Sequence, residues 1–136
     1  MHEIVAPLAL GILIGGMGLF SLVVAPTAFR ALPVETAGRF VRGLFPHYYL
    51  FVIGAAAFSA VALVGPAPYL AAMMIGVTAL GLLARQVLMP RINALRDRQG
   101  AGDAGAAKWF GRLHGVSVAI NLVQFVAALA AVALYV

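Results

Sequence analysis

Cysteine is absent from all 136 residues, so the chain has no disulfide, no thiolate chemistry and no Cys-ligated metal. Acid is nearly as scarce: Asp and Glu total 4 against 9 Lys and Arg, a formal net charge of +5. Charged residues make up 10% of the chain and hydrophobic ones 64%, where a soluble domain has about 25% and roughly 45–50%. This shortage excludes an ordinary soluble fold, because too little charge is available to coat its surface. The length fits a single domain.

Charge is also missing from long stretches. None lies between Glu3 and Arg30, between Arg42 and Arg85, or after Arg112. About 20 apolar helical residues cross a bilayer core of ~30 Å. The first and last stretches fit one crossing each, and the middle one fits two, divided at Gly65-Pro66-Ala67-Pro68. The sequence therefore predicts an all-α integral membrane four-helix bundle with spans at 4–25, 44–64, 69–88 and 113–136. The runs are continuous and rich in Ala, Leu and Gly, unlike the alternating segments of a transmembrane β-barrel. Met1-His2-Glu3 lacks the basic start of a cleaved signal peptide.

What charge there is lies on one side. All the basic residues fall in or beside the first and third connections. Lys and Arg in short loops mark the cytoplasmic side, which predicts a bacterial inner-membrane protein with both termini and the Gly65–Pro68 turn outside. The partner this implies is the lipid bilayer, through anionic headgroups on the cytoplasmic side worth ~1 kcal/mol per basic residue, and not nucleic acid. Arg30, Arg85, Arg91 and Arg112 are placed for lipid contacts or for holding an anionic group.

Along the chain, Pro26 is expected to end the first span, and Thr27–Gly43 to lie along the interface as an amphipathic segment. Pro46 suits a first helical turn, and Tyr48 and Tyr49 suit an interfacial aromatic belt. Arg91–Gln99 continues the third helix beyond Pro90, Gly100–Gly105 is a break, and the last helix starts near Ala106 on a Lys108-Trp109-Phe110 anchor. Val24-Ala25-Pro26 with Ala31-Leu32 is echoed by Leu88-Met89-Pro90 with Ala94-Leu95, and Phe40-Val41-Arg42 by Phe110-Gly111-Arg112, the pattern of a parallel two-helix repeat. Gly11, Gly15, Gly18 and Ser21 make a small-residue face on the first helix, for close packing within the bundle or for a homo-oligomer.

Intramembrane polar groups are costly and face the bundle interior. His114, Ser117, Asn121 and Gln124 fall on one helix face at spacings of +3, +4 and +3. They either hydrogen-bond between helices or line a cavity, to which Tyr48 would also contribute. His47 and His114 both lie near the cytoplasmic ends of their helices, and neutral imidazole binds haem iron, copper or zinc. Met17, Met73, Met74 and Met89 are soft but scattered ligands for copper. No Asp or Glu lies within a span to couple cation transport. No nucleotide loop or nucleophile–base motif is present, which favours a role other than enzyme.

Ala25-Pro26-Thr27-Ala28-Phe29-Arg30, Leu44-Phe45-Pro46-His47-Tyr48-Tyr49, Pro90-Arg91-Ile92-Asn93-Ala94-Leu95-Arg96 and Leu113-His114-Gly115-Val116-Ser117 with Asn121-Leu122 occur in that order. Together they resemble the bacterial members of the transmembrane-protein-205-like family, over nearly the whole chain. The resemblance implies a small multi-span membrane protein with a Leu-Phe-Pro-x-Tyr start to its second helix and a Leu-His-x-x-Ser-x-x-x-Asn stripe in its last. More distantly, it extends to four-helix membrane proteins linked to copper resistance and to a haem-binding oxidoreductase. That haem relationship implies a His in the first helix, and the body of the first span has none.

Three functions follow as expectations. The first is binding or movement of a small solute or metal species through a polar cavity lined by His114, Ser117, Asn121, Gln124 and Tyr48, with Arg30, Arg85 and Arg91 at its mouth. The second is a membrane oxidoreductase holding haem b (or a copper centre) through His114 and His47. The third is a structural subunit that docks through Gly11, Gly15 and Gly18.

Overall fold

The computed structural model describes residues 2–136, with side chains from Ile4 onward; the side chains of His2 and Glu3, expected near the outer face, lie outside the described residues. Regular structure among the described residues is entirely helical. Four helices are long and apolar enough to cross a membrane: α1 (Ile4–Ala31), α2 (Val34–Leu63), α3 (Pro68–Gly100) and α4 (Ala104–Tyr135). They have 28, 30, 33 and 32 residues, so at 1.5 Å per residue each is about 42–50 Å long. That exceeds the ~30 Å core, and the predicted spans place the surplus at the arginine-bearing ends.

Around the bundle, α2 packs against α1 and α3, and α4 against α3 and α1. The α2 and α4 backbones stand on opposite corners, so only side chains reach across between them. Alanine fills much of the centre, including Ala6, Ala56, Ala84, Ala128 and Ala131, whereas Ile4, Leu22, Val61 and Leu134 point outward. This arrangement suits lipid, where close backbone approach rather than water exclusion drives helix association.

Two expectations about the connections are corrected. Pro26 does not end α1. The helix widens into a π segment at Leu19–Val24, where the Ala25 N–H reaches the Phe20 carbonyl five residues back, and continues as Ala25–Ala31. A proline removes a donor and crowds the carbonyl four residues earlier; a wider turn just before it supplies room. The same device precedes Pro90, with a π segment at Ala84–Leu88 and the Met89 N–H on the Ala84 carbonyl. The two halves therefore share this backbone feature as well as their sequence echo. Thr27–Gly43 is not a separate interfacial helix either: it is divided between the end of α1 and the start of α2 at Leu32-Pro33. Pro46 consequently sits inside α2 rather than in its first turn.

The Gly100–Gly105 break is a short, capped turn. Gly102 alone among the described residues takes a positive φ, of 94°. Asp103 accepts from the Gly105 and Ala106 N–H groups and so caps α4. The Arg98 guanidinium, 2.7 Å away, holds the Asp103 carboxyl below the usual carboxylate range, and the Ala106 N–H adds to this.

The glycines of α1 divide by position. A methyl group on Gly16 would overlap the Phe51 ring of α2, and one on Gly18 would touch Phe125 of α4, whereas Gly11 and Gly15 have nothing within 4 Å. Close approach within the bundle therefore runs through Gly16 and Gly18, while the Gly11–Gly15 pair looks outward.

Candidate functional site: a cavity between opposite helices

A cavity of about 840 Å³ opens between α2 and α4 at the arginine-bearing end, with α1 and α3 completing its wall. This volume lies in the range of small-molecule sites. Its floor is polar. Tyr48 donates from its hydroxyl to Asn121 Oδ1 at 2.5 Å, and Asn121 Nδ2 donates to Ser21 Oγ at 3.2 Å. The Tyr49 and Ser117 hydroxyls share a hydrogen bond of 2.8 Å. The Tyr48 and Tyr49 bonds join opposite corners of the bundle and the Asn121–Ser21 bond joins α4 to its neighbour α1, and interhelical bonds in membranes are each worth about 0.6 kcal/mol on average. Ser21 reaches the floor from the π segment of α1, in keeping with the frequent use of π turns at functional positions.

Aromatic rings make much of the wall. Phe20 stacks on Tyr48 with ring centroids 4.1 Å apart, and Phe45 on Tyr49 at 5.8 Å. His114 lies on the wall, its ring parallel to Phe110 at 5.7 Å. Toward the mouth come Asn93, Arg96 and Gln99 from α3 and Arg42 from α2. Arg42 and Asp97 form a two-pronged pair at 2.6 and 3.1 Å that ties α2 to α3.

The sequence-predicted site residues divide among several places. His114, Ser117, Asn121 and Tyr48 share the cavity wall. Gln124 does not: it is fully buried one turn beyond Asn121, where Nε2 donates to the Val77 carbonyl of α3 at 2.9 Å. Its Oε1 has no partner. An orphaned buried acceptor costs about 1–3 kcal/mol, more than the ~0.6 kcal/mol gained by its one intramembrane bond. Gln124→Met is therefore expected to stabilise the bundle by about 1 kcal/mol, read from reversible unfolding in mixed micelles. A loss of stability would show that Oε1 has a partner.

Tyr48 and Tyr49 are not an interfacial belt; both are buried, because α2 begins at Val34 and carries them into the bundle. Of the arginines expected at the mouth, none lines the cavity. Arg30 is exposed, and Arg85 reaches the Pro46 carbonyl at 3.4 Å and Gln86 at 3.1 Å. Arg91 lines a separate groove with Arg98, Trp109 and Leu113, and Arg112 lies 5.2 Å over the Trp109 ring. Arg42 and Arg96 occupy the mouth instead. Residue composition gave no signal for this choice; helical phase does, since Asn93 and Arg96 lie one turn apart on the face of Met89.

The two candidate haem or copper ligands are not brought together, and His114 is the imidazole on the cavity wall. His47 is exposed and off the cavity wall. Among the described residues no group of three or more His, Asp or Glu side chains converges. Met17 and Met74 are fully buried core side chains, and Met89 is the methionine on the wall. Hydroxyl, amide and guanidinium groups are instead the donors that orient an organic solute.

The fold thus defines a protein of four helices, each long and apolar enough to cross a membrane, with a cavity at one end. Residues 8–101 match the family model of a domain of unknown function, DUF4149, and the chain belongs to that family. The match covers most of α1 and all of α2 and α3 and stops before α4, so Ser117 and Asn121 lie outside it. No curated protein and no solved structure matches the chain.

Proposed function

We propose that this chain binds a small organic solute in the α2–α4 cavity and exchanges it with the cytoplasmic face of the membrane. The observation that carries this reading is a drug-sized cavity floored by the Tyr48–Asn121–Ser21 and Tyr49–Ser117 clusters. A largely apolar void with a few convergent polar groups, rather than a filled core, is the make-up of a solute site. The test is a screen of small metabolites for thermal stabilisation of the purified protein, repeated on Asn121→Leu. Hits that persist unchanged in the variant would remove the assignment.

The orientation we propose has the arginine end cytoplasmic and both termini outside, on the strength of the one-sided Lys and Arg distribution. The lack of native cysteine makes the test clean. Gly65→Cys, in the outer turn, is expected to react with a membrane-impermeant maleimide on intact cells, and Ala101→Cys only after lysis. The reverse pattern would invert the topology.

A further inference from the structure

We infer that the solute of this cavity is an amphiphilic organic anion, with its acid group at Arg96 and Arg42 and its other end hydrogen-bonded at the Tyr48–Asn121 floor. The inference rests on the cavity being a solute site, as proposed above.

Charge is the first ground. The charged side chains on the cavity wall are Arg42 and Arg96. Asp97 pairs with Arg42, and Arg96 also acts on the same carboxylate. One carboxylate cannot neutralise two guanidinium groups, so the mouth keeps a net positive charge. Arg96 makes only a long 3.5 Å contact to the Gly38 carbonyl, and it lies against bare Gly38, where a methyl group would collide with it. Its guanidinium is thus held at the mouth with donors to spare, the arrangement that recognises a carboxylate, phosphate or sulfonate. The same positive charge repels a metal cation.

Geometry is the second. Arg42 and Tyr49 are seven residues apart on α2, which sets mouth and floor about 10 Å apart. Between them the wall is largely apolar, with Phe20, Phe45, Phe110, Met89 and Ile92, and His114 is the imidazole among them. A ligand that satisfies all three zones has an acid at one end, an apolar or aromatic body about 10 Å long, and a hydrogen-bonding group at the other. Such a molecule can come from water, as a free organic acid, or from the bilayer, as an acidic lipid.

Two fluorescent probes isolate the charge: anilinonaphthalene sulfonate and its uncharged parent, phenylnaphthylamine. Titrations use the full chain in an uncharged maltoside detergent. The sulfonate is expected to bind saturably and more tightly than the parent. Arg96→Gln is expected to lower the ratio of the two affinities about tenfold, and Arg96→Lys to keep most of it. Equal affinities for both probes in the unaltered protein would overturn the anionic assignment while leaving the cavity a solute site. Saturable binding of neither probe would overturn the cavity reading itself, and the inference with it. Displacement of the sulfonate by octanoate assigns a free acid as the source, displacement only by lysophosphatidylglycerol assigns a bilayer anion, and displacement by neither overturns the proposal.

Discussion

Asn121→Leu is expected to lower the stability of the bundle by about 2 kcal/mol and to abolish solute-dependent stabilisation. Leucine keeps the branched shape and heavy-atom count of asparagine, so the main change is the loss of hydrogen bonding. Asn121 accepts from Tyr48 and donates to Ser21, linking α4 to both α2 and α1. Two intramembrane hydrogen bonds are worth about 0.6 kcal/mol each on average. Removing the Asn121 acceptor from the buried Tyr48 hydroxyl adds about 1 kcal/mol. Tyr48→Phe provides the control. In a double-mutant cycle the two changes should couple by about 1 kcal/mol, because each removes the same bond. Strict additivity would show that Tyr48 and Asn121 do not interact. The solute arm is separate, since loss of binding by a protein that still unfolds cooperatively assigns Asn121 to the site.

Gly16→Leu is expected to cost about 3 kcal/mol, the upper end of overpacking effects, whereas Gly15→Leu should change stability by no more than about 0.5 kcal/mol. The two positions are adjacent and equally helical. Even a single methyl group at Gly16 would overlap the Phe51 ring, while Gly15 has nothing within 4 Å. Phe51→Ala in the Gly16→Leu background should recover much of the loss by emptying the space the leucine needs. Both variants are read by reversible unfolding in mixed micelles. A larger loss at Gly15 than at Gly16 would mean that α1 is rotated about its axis relative to α2.

How far the sequence reaches depends on the type of signal. The uncharged stretches mark four helices because a charge inside a bilayer is expensive wherever it sits, and no tertiary contact is needed to see that. Helix ends were less legible. Pro26 and Pro46 read as boundaries because a proline disrupts a regular α-helix, yet a π turn before Pro26 carries α1 to Ala31, and α2 runs from Val34 through Pro46. The glycine spacing announced close approach on α1 through Gly11, Gly15 and Gly18, and of these Gly18 alone meets a neighbouring helix within the bundle. Gly11 and Gly15 carry the GxxxG pattern, and Gly16 and Gly18 meet the neighbours.

The site shows the same division. The α4 stripe was visible as a helical phase, and Ser117 and Asn121 share one wall for that reason. Gln124 continues the phase, yet it leaves the cavity because α3 meets α4 at that level and offers the Val77 carbonyl. Tyr49, Ser21 and Arg96 join the site from three other helices, at separations along the chain that no local pattern records.

By itself, then, the sequence determined the four apolar helices, the gathering of Lys and Arg on one side, and the polar face of the last helix. Each is a cost that one helix meets in the bilayer alone. Only the tertiary structure decided which arginines guard the cavity, which glycines are buried and which polar residues meet, because those outcomes depend on how each helix is rotated against its neighbours. That rotation is set by the packing of many small side chains at once, and the π turns before Pro26 and Pro90 shift it partway along α1 and α3.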